Sequence, residues 1–191
     1  MPSRRCSLVP LVMAALAACG SPEAPVGPDL ALGGGVQALA NGDGAYNQPL
    51  PASLGGGSTD IALAMTTIIH RSGQASGSFR HTGVIQGLAV DFEGVVTCAA
   101  VDPVAKRAWI GGVITANGST HPSFTEIINQ VGKDIWFRVA DWGPGGSGDP
   151  DRSTFVGFEG GGGIITSAQY CAARIWPNDA NPLVRGNLTV R

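Results

Sequence analysis

Three aspartates frame a glycine-rich stretch, Asp141-Trp-Gly-Pro-Gly-Gly-Ser-Gly-Asp-Pro-Asp151. Asp141, Asp149 and Asp151 supply carboxylate oxygens, and a glycine-rich turn adds carbonyls. That is the donor set calcium takes, at about 2.3–2.6 Å. The spacing departs from an EF-hand loop, which needs acids at alternate positions, Gly at the sixth and Glu at the twelfth. Turn chemistry competes with the metal reading, because Asp and Gly are what sharp loops require. Asp141 and Asp151, joined by a histidine, are also the groups a hydrolase or lyase acting on an extracellular polymer would use. The three histidines fall in no HExxH or other ligand spacing. The sequence puts His70 at the end of an apolar strand, His81 at a turn and His121 in a loop before Pro122. Ser147, in Gly-Gly-Ser-Gly-Asp, does not match the Gly-x-Ser-x-Gly elbow of a nucleophilic serine. Gly160-Gly-Gly-Gly163 lacks the Gly-Lys-[Ser/Thr] of a phosphate loop and reads as an inter-strand turn. Asn117-Gly-Ser119 and Asn187-Leu-Thr189 match a glycosylation sequon. Four tryptophans, Trp109, Trp136, Trp142 and Trp176, would suit a sugar-stacking platform or ordinary core and rim packing. An exposed binding patch would be built on Trp142 or Trp176. No catalytic residue and no cofactor is assigned.

The start of the chain carries a different chemistry. Arg4 and Arg5 precede a short apolar run from Leu8 to Leu16, and Leu16-Ala-Ala-Cys19-Gly follows. The run is about half what a membrane-spanning helix needs. A basic start and a short apolar run form the secretory pattern that is left out of fold reasoning. Leu16-Ala-Ala-Cys19 resembles the box of a bacterial lipoprotein signal, which is cut just before the Cys. That resemblance implies lipidation of Cys19, an anchor in a membrane and a place in the cell envelope, at the outer membrane or cell surface. Ordinary secretion, with Cys19 a bystander, is the alternative.

Removing residues 1–18 leaves a chain long enough for one domain. The net charge passes from −2 to −4 with the loss of Arg4 and Arg5. A weakly acidic chain has no basic footprint for nucleic acid. Partners are therefore sought among envelope or extracellular proteins and glycans. Cys6 leaves with the signal and Cys19 takes the lipid, so Cys98 and Cys171 remain. Two thiols in an exported chain read as one disulfide. Two separate buried thiols are the alternative.

These residues need a scaffold, and its texture is legible. Residues 19–58 hold Pro22, Pro25, Pro28, Gly33-Gly-Gly35, Asn41-Gly-Asp-Gly44 and Gly55-Gly-Gly57, the composition of a flexible tether. Fully extended, it would reach roughly 130 Å. From residue 59 to 191, short β-rich runs recur between turn residues. Strands are predicted near 62–70, 76–81, 85–92, 95–101, 107–116, 135–141, 155–158, 164–173 and 186–191. Residues 122–131 offer either one short helix or a loop. The expected fold is all-β: an antiparallel β-sandwich or flattened barrel of about eight or nine strands with one disulfide.

Six segments occur in a fixed order: Phe92-Glu-Gly-Val-Val-Thr-Cys98, Lys106-Arg-Ala-Trp-Ile-Gly-Gly-Val113, Val139-Ala-Asp-Trp-Gly-Pro-Gly, Asp149-Pro-Asp, Cys171 and Gly186-Asn-Leu-Thr-Val190. Together they resemble a group of bacterial exported β domains of unknown function, of the type found after choice-of-anchor modules in cell-surface proteins. The chain departs from that group's pattern at Ala99 and Trp142. The resemblance implies a β fold outside the cytoplasm and brings no activity. The reading is a lipid-anchored, non-catalytic surface module for binding or structure. A polymer-acting hydrolase or lyase and a calcium-stabilised adhesion domain are the alternatives.

Overall fold

Alternating apolar residues build nine strands among the residues that the computed structural model describes, which are 35–143, 149–160, 163–177 and 179–191. They are β1 (Val36–Pro49), β2 (Ser58–His70), β3 (Ala75–Ile85), β4 (Leu88–Asp102), β5 (Arg107–Asn117), β6 (Asp134–Ala140), β7 (Arg152–Ser153), β8 (Gly157–Phe158) and β9 (Asn181–Val190). The hydrogen-bonded order β5-β4-β3-β2-β1-β9-β7-β6 returns from β6 to β5 and closes a ring. Every pairing is antiparallel, and β8 lies beside β7 on the same edge of β6. Of the sandwich and the flattened barrel, the closed ring is the one that forms. Closure matters because a strand edge left open would recruit another chain.

The barrel interior is filled. Ile61, Leu63 and Met65 of β2 alternate inward, as do Val90 and Phe92 of β4, Ile110 and Ile114 of β5, and Ile135, Phe137 and Val139 of β6. Phe79 and Phe137 meet edge to face at 5.3 Å between centroids. A ring of about eight strands is just wide enough for side chains to fill. Tyr46 is fully buried, and its hydroxyl donates to the Thr154 carbonyl at 2.9 Å. Burial pushes its phenol well above the usual range.

Several elements differ from expectation. The stretch expected as tether contains β1, which pairs with β2 over nearly its whole length and with β9 on its other edge. Its glycines serve close strand approach rather than flexibility. Gly42 has φ +143°, and a Cβ there would stand 2.2 Å from the Asn187 carbonyl oxygen. The two strands expected at 85–92 and 95–101 are one bent strand, β4, with register shifts at Glu93/Gly94 and Val96/Cys98. Gly94 marks the bend, since a Cβ there would lie 2.2 Å from the Phe79 ring. The β3–β4 turn is Gln86-Gly87, both at positive φ, the mirror-image turn that suits twisted hairpins. Residues 122–131 form two 3-10 turns, Pro122–Phe124 and Ile127–Asn129.

The strand expected at 164–173 is instead helix α1 (Ser167–Ala173). Thr166 and Gln169 form a reciprocal capping box, in which the Gln169 N–H donates to Thr166 Oγ1 at 3.2 Å and the Thr166 N–H to Gln169 Oε1 at 3.3 Å. The helix lies on the outside of β4, β5 and β6. It covers a second apolar cluster of Ala100, Trp109, Trp136 and Tyr170, flanked by Ile164 and Trp176. The Cys98–Cys171 disulfide staples this cover to the sheet. The alternation of β6 thus buries both faces: Phe137 and Val139 inside the barrel, Trp136 and Arg138 beneath the cover.

Candidate functional site

The ring is closed incompletely by backbone. Strand β9 meets β7 only through Arg152–Pro182 and Ser153–Asn181, yet it continues along β1 to Val190. Its second edge, from Leu183 onward, would be bare. Side chains complete it. Asp151 Oδ2 accepts from the Leu188 N–H at 2.7 Å, and Asp141 Oδ2 accepts from the Val190 N–H at 2.9 Å. Lys106 Nζ donates to the Val190 carbonyl at 3.3 Å and stands 3.7 Å from Asp141. The Asp151 carbonyl takes the Leu183 N–H at 2.8 Å. Two carboxylates and an ammonium act as stand-ins for a neighbouring strand.

Local sequence delivers each group. In the β4–β5 hairpin, Asp102 Oδ1 accepts from the Val104 and Ala105 N–H groups at 3.0 and 2.9 Å. Lys106 takes a left-handed φ of +54° at the end of that turn. Asp141 follows the last residue of β6, and its N–H donates to the Lys106 carbonyl at 2.9 Å. Asp151 is 5% exposed, and its Oδ1 also accepts from the Trp142 N–H at 3.0 Å. It therefore ties the start of its loop to β9.

Over this seam lies a cleft of about 630 Å³, lined by Lys106, Asp141, Trp142, Asp149, Asn187 and Thr189 among others. The Arg152 guanidinium carbon sits 4.5 Å from the centroid of the Trp142 ring. Arg152 itself donates to the Ala180 carbonyl at 3.1 Å. Trp142 is nevertheless 37% exposed.

The residues singled out by sequence sort as follows. Asp141 and Asp149 line one cleft and Asp151 is bonded to two of its lining residues, Trp142 and Leu188, but Asp141 and Asp151 spend carboxylate oxygens on backbone N–H groups. Among the described residues, no group of three His, Cys, Asp or Glu is placed to hold a metal ion. His81 is not at a turn; it is 0% exposed in mid-strand, between Phe79, Phe137 and Phe155. Neither ring nitrogen has a partner among the described residues. Burial pushes its pKa down to about 3. His70 Nε2 pairs with Ser76 Oγ at 2.8 Å. His121 is buried, and its Nδ1 accepts from the Ser123 N–H at 3.3 Å, capping a 3-10 turn. The tryptophans form no single platform. Trp109 and Trp176 pack edge to face at 5.5 Å, Trp136 stacks on Tyr170 at 5.6 Å, and Trp142 stands apart at the seam. Asn117 donates to the Phe124 and Asn129 carbonyls at 2.8 Å each, a structural use. Residues 1–18, Cys19 and Ser147 lie outside the described residues.

Sequence reasoning missed Arg138 as a buried anchor. Its guanidinium pairs with Asp179, donates to the Tyr170 hydroxyl at 3.3 Å and lies over the Trp176 ring. Burial raises the Tyr170 pKa to about 12, against the opposing pull of Arg138. It also missed the role of Lys106 and of the outward residues of β9. The signal was present in the ordered segments, because Lys106, Asp141, Asp151 and Gly186–Val190 all converge on the seam. No family model, curated protein or solved structure matches the chain.

Proposed function

We propose that this chain is an exported, lipid-anchored envelope protein whose barrel is a non-catalytic binding module, with the cleft over the seam as its ligand-facing surface. The observation that carries the reading is the division of labour at the seam. Asp151, Asp141 and Lys106 hold the fold, while Trp142, Asp149, Asn187 and Thr189 line an open cleft beside them. The interior is packed with side chains, so recognition falls to the outside. The Cys98–Cys171 disulfide supports export, since such bonds persist in oxidising compartments. A hydrolase or lyase built on Asp141 and Asp151 with a histidine fits the geometry less well, since Asp141 Oδ2 accepts from the Val190 N–H and His70 pairs with Ser76. Both Asp151 oxygens hold N–H groups, His81 is sealed in the core and His121 is a cap.

The test is the mass and location of the mature protein. Membrane fractions should yield a chain that starts at Cys19, carries acyl groups and lacks two hydrogens for the disulfide. A Cys19→Ala chain should be released without lipid. An intact Met1 start in the cytosol, with Cys98 and Cys171 reduced, overturns the proposal.

A further inference from the structure

We propose that the seam cleft binds a neutral saccharide, with one sugar ring packed on Trp142 and its hydroxyls bonded by Asp149, Asn187 and Thr189. The inference rests on the reading of this cleft as the binding surface and names its ligand class. Its first support is the indole. Trp142 is fixed at its backbone by Asp151 and backed on its ring by Arg152, which is held in turn by Ala180. A plate already held in place loses little freedom on binding. The negative face of an aromatic ring attracts the weakly positive C–H groups on one side of a pyranose.

The second support is the polar set around the plate. A saccharide presents hydroxyls, each both donor and acceptor. Asp149 offers acceptors. Asn187 directs its amide nitrogen at the Leu188 carbonyl at 3.1 Å, which leaves its amide oxygen for a ligand. Thr189, on the outward side of β9 between buried Leu188 and Val190, offers a hydroxyl that donates or accepts. The third support is charge. Lys106 and Arg152 stand against Asp141, Asp149 and Asp151, and the two cations are already committed to Val190, Trp142 and Ala180. A near-balanced site with no free cation among the described residues does not favour a phosphate or sulfate. The cleft volume lies within the range of about 300–1,000 Å³ usual for small-ligand sites.

The experiment uses the full Cys19→Ala chain on an array of neutral and anionic glycans, followed by fluorescence titration of the strongest neutral binder. Trp142→Ala and Asn187→Ala should each weaken binding at least tenfold. Arg185→Ala, on β9 outside the cleft, should leave it unchanged. Trp142→Phe keeps a smaller plate and should fall between wild type and Trp142→Ala, which covers the case that the alanine variant folds poorly. Absence of neutral glycan binding at 1 mM, binding unaffected by both Trp142→Ala and Asn187→Ala, or binding confined to anionic glycans and lost in salt overturns the proposal. Lipidation at Cys19 is read separately by mass, so the two proposals fail independently.

Discussion

Removing the Asp151 carboxylate should be among the most damaging single changes at the surface of the barrel. Its two oxygens accept from Trp142 and Leu188 at 3.0 and 2.7 Å, in a residue only 5% exposed. Hydrogen bonds to a charged group contribute roughly 1.5–3 kcal/mol each, and the buried Leu188 N–H left behind stays unsatisfied. Asp151→Ala should therefore cost about 3–6 kcal/mol, a large share of the roughly 5–15 kcal/mol that holds a domain folded. Asp151→Asn keeps one acceptor and turns an NH2 toward the other donor, so about half that loss is expected. Asp141→Ala frees one N–H, that of Val190, and a half-exposed ion pair with Lys106 at 3.7 Å. Exposed pairs contribute little, so its loss should be about 1.5–3 kcal/mol. Asp149→Ala, at an exposed position, should stay within about 0.5 kcal/mol. Urea unfolding of the oxidised proteins, followed by tryptophan fluorescence, gives the order directly. Amide exchange at Leu188 and Val190 localises it, because those two N–H groups should open first in the variants. An Asp151→Ala protein that loses no more stability than Asp149→Ala would refute the carboxylate-bridged seam.

Acid should weaken the barrel through His81. Its native pKa, held near 3 by burial, lies below the 6.5 of the unfolded chain. The unfolded state thus binds the proton first, and stability falls as pH drops from about 6.5 towards 3. Linkage gives a loss of roughly 2 kcal/mol at pH 5 relative to neutral pH. His81→Leu should flatten that part of the stability curve; parallel curves from pH 7 to 5 would contradict it. Reducing Cys98–Cys171, which are 73 residues apart in sequence, should cost about 4 kcal/mol by chain entropy. It should also open Trp109 and Trp136 to an aqueous quencher, and unchanged quenching would show that the α1 cover stays seated without the bond. Gly42→Ala forces a Cβ to within 2.2 Å of a backbone oxygen, whereas Gly56→Ala meets open space at φ +68°. Denaturation midpoints should therefore fall much further for Gly42→Ala than for Gly56→Ala, and equal shifts would remove the close-approach argument.

The legible part of this chain was its alternation. Leu88, Val90 and Phe92 against Asp91 and Glu93 marked β4, and Ile135, Phe137 and Val139 marked β6 without any knowledge of the ring. The disulfide was legible because few cysteines remained to pair. What failed was the meaning of glycine. Asn41-Gly-Asp-Gly44 has the composition of a linker, yet Gly42 and Gly186 are where β1 and β9 press closest, a property of pairs of strands that no local window contains. The apolar run around Tyr170 read as a strand because its partners, Trp109 and Trp136, lie on the outside of the sheet. Only the tertiary fold shows that this outside is covered. His81 was misplaced for the same reason: beside Arg80 it looks like a turn, but the inward alternation of β3 governs, and Arg80 points out to Asp91 and Glu93.

The seam also explains why fold-holding and cleft-lining residues stand side by side. Had β7 run the full length of β9, the ladder would satisfy Leu188 and Val190 by backbone, and neighbouring strands would sit about 4.8 Å apart. A carboxylate bridge replaces that strand with side chains reaching in from two loops, and a depression remains above them. The cleft lies over this gap, with Asp141 and Leu188 in its lining and Trp142 and Asn187 beside them. Shape and stability are therefore coupled. A variant that filled the seam with a longer β7 should be more stable and should lose the cleft, and a variant lacking the Asp151 bridge should lose both. A stabilised variant with an extended β7 that kept full binding of the proposed saccharide would refute the assignment of that binding to this cleft.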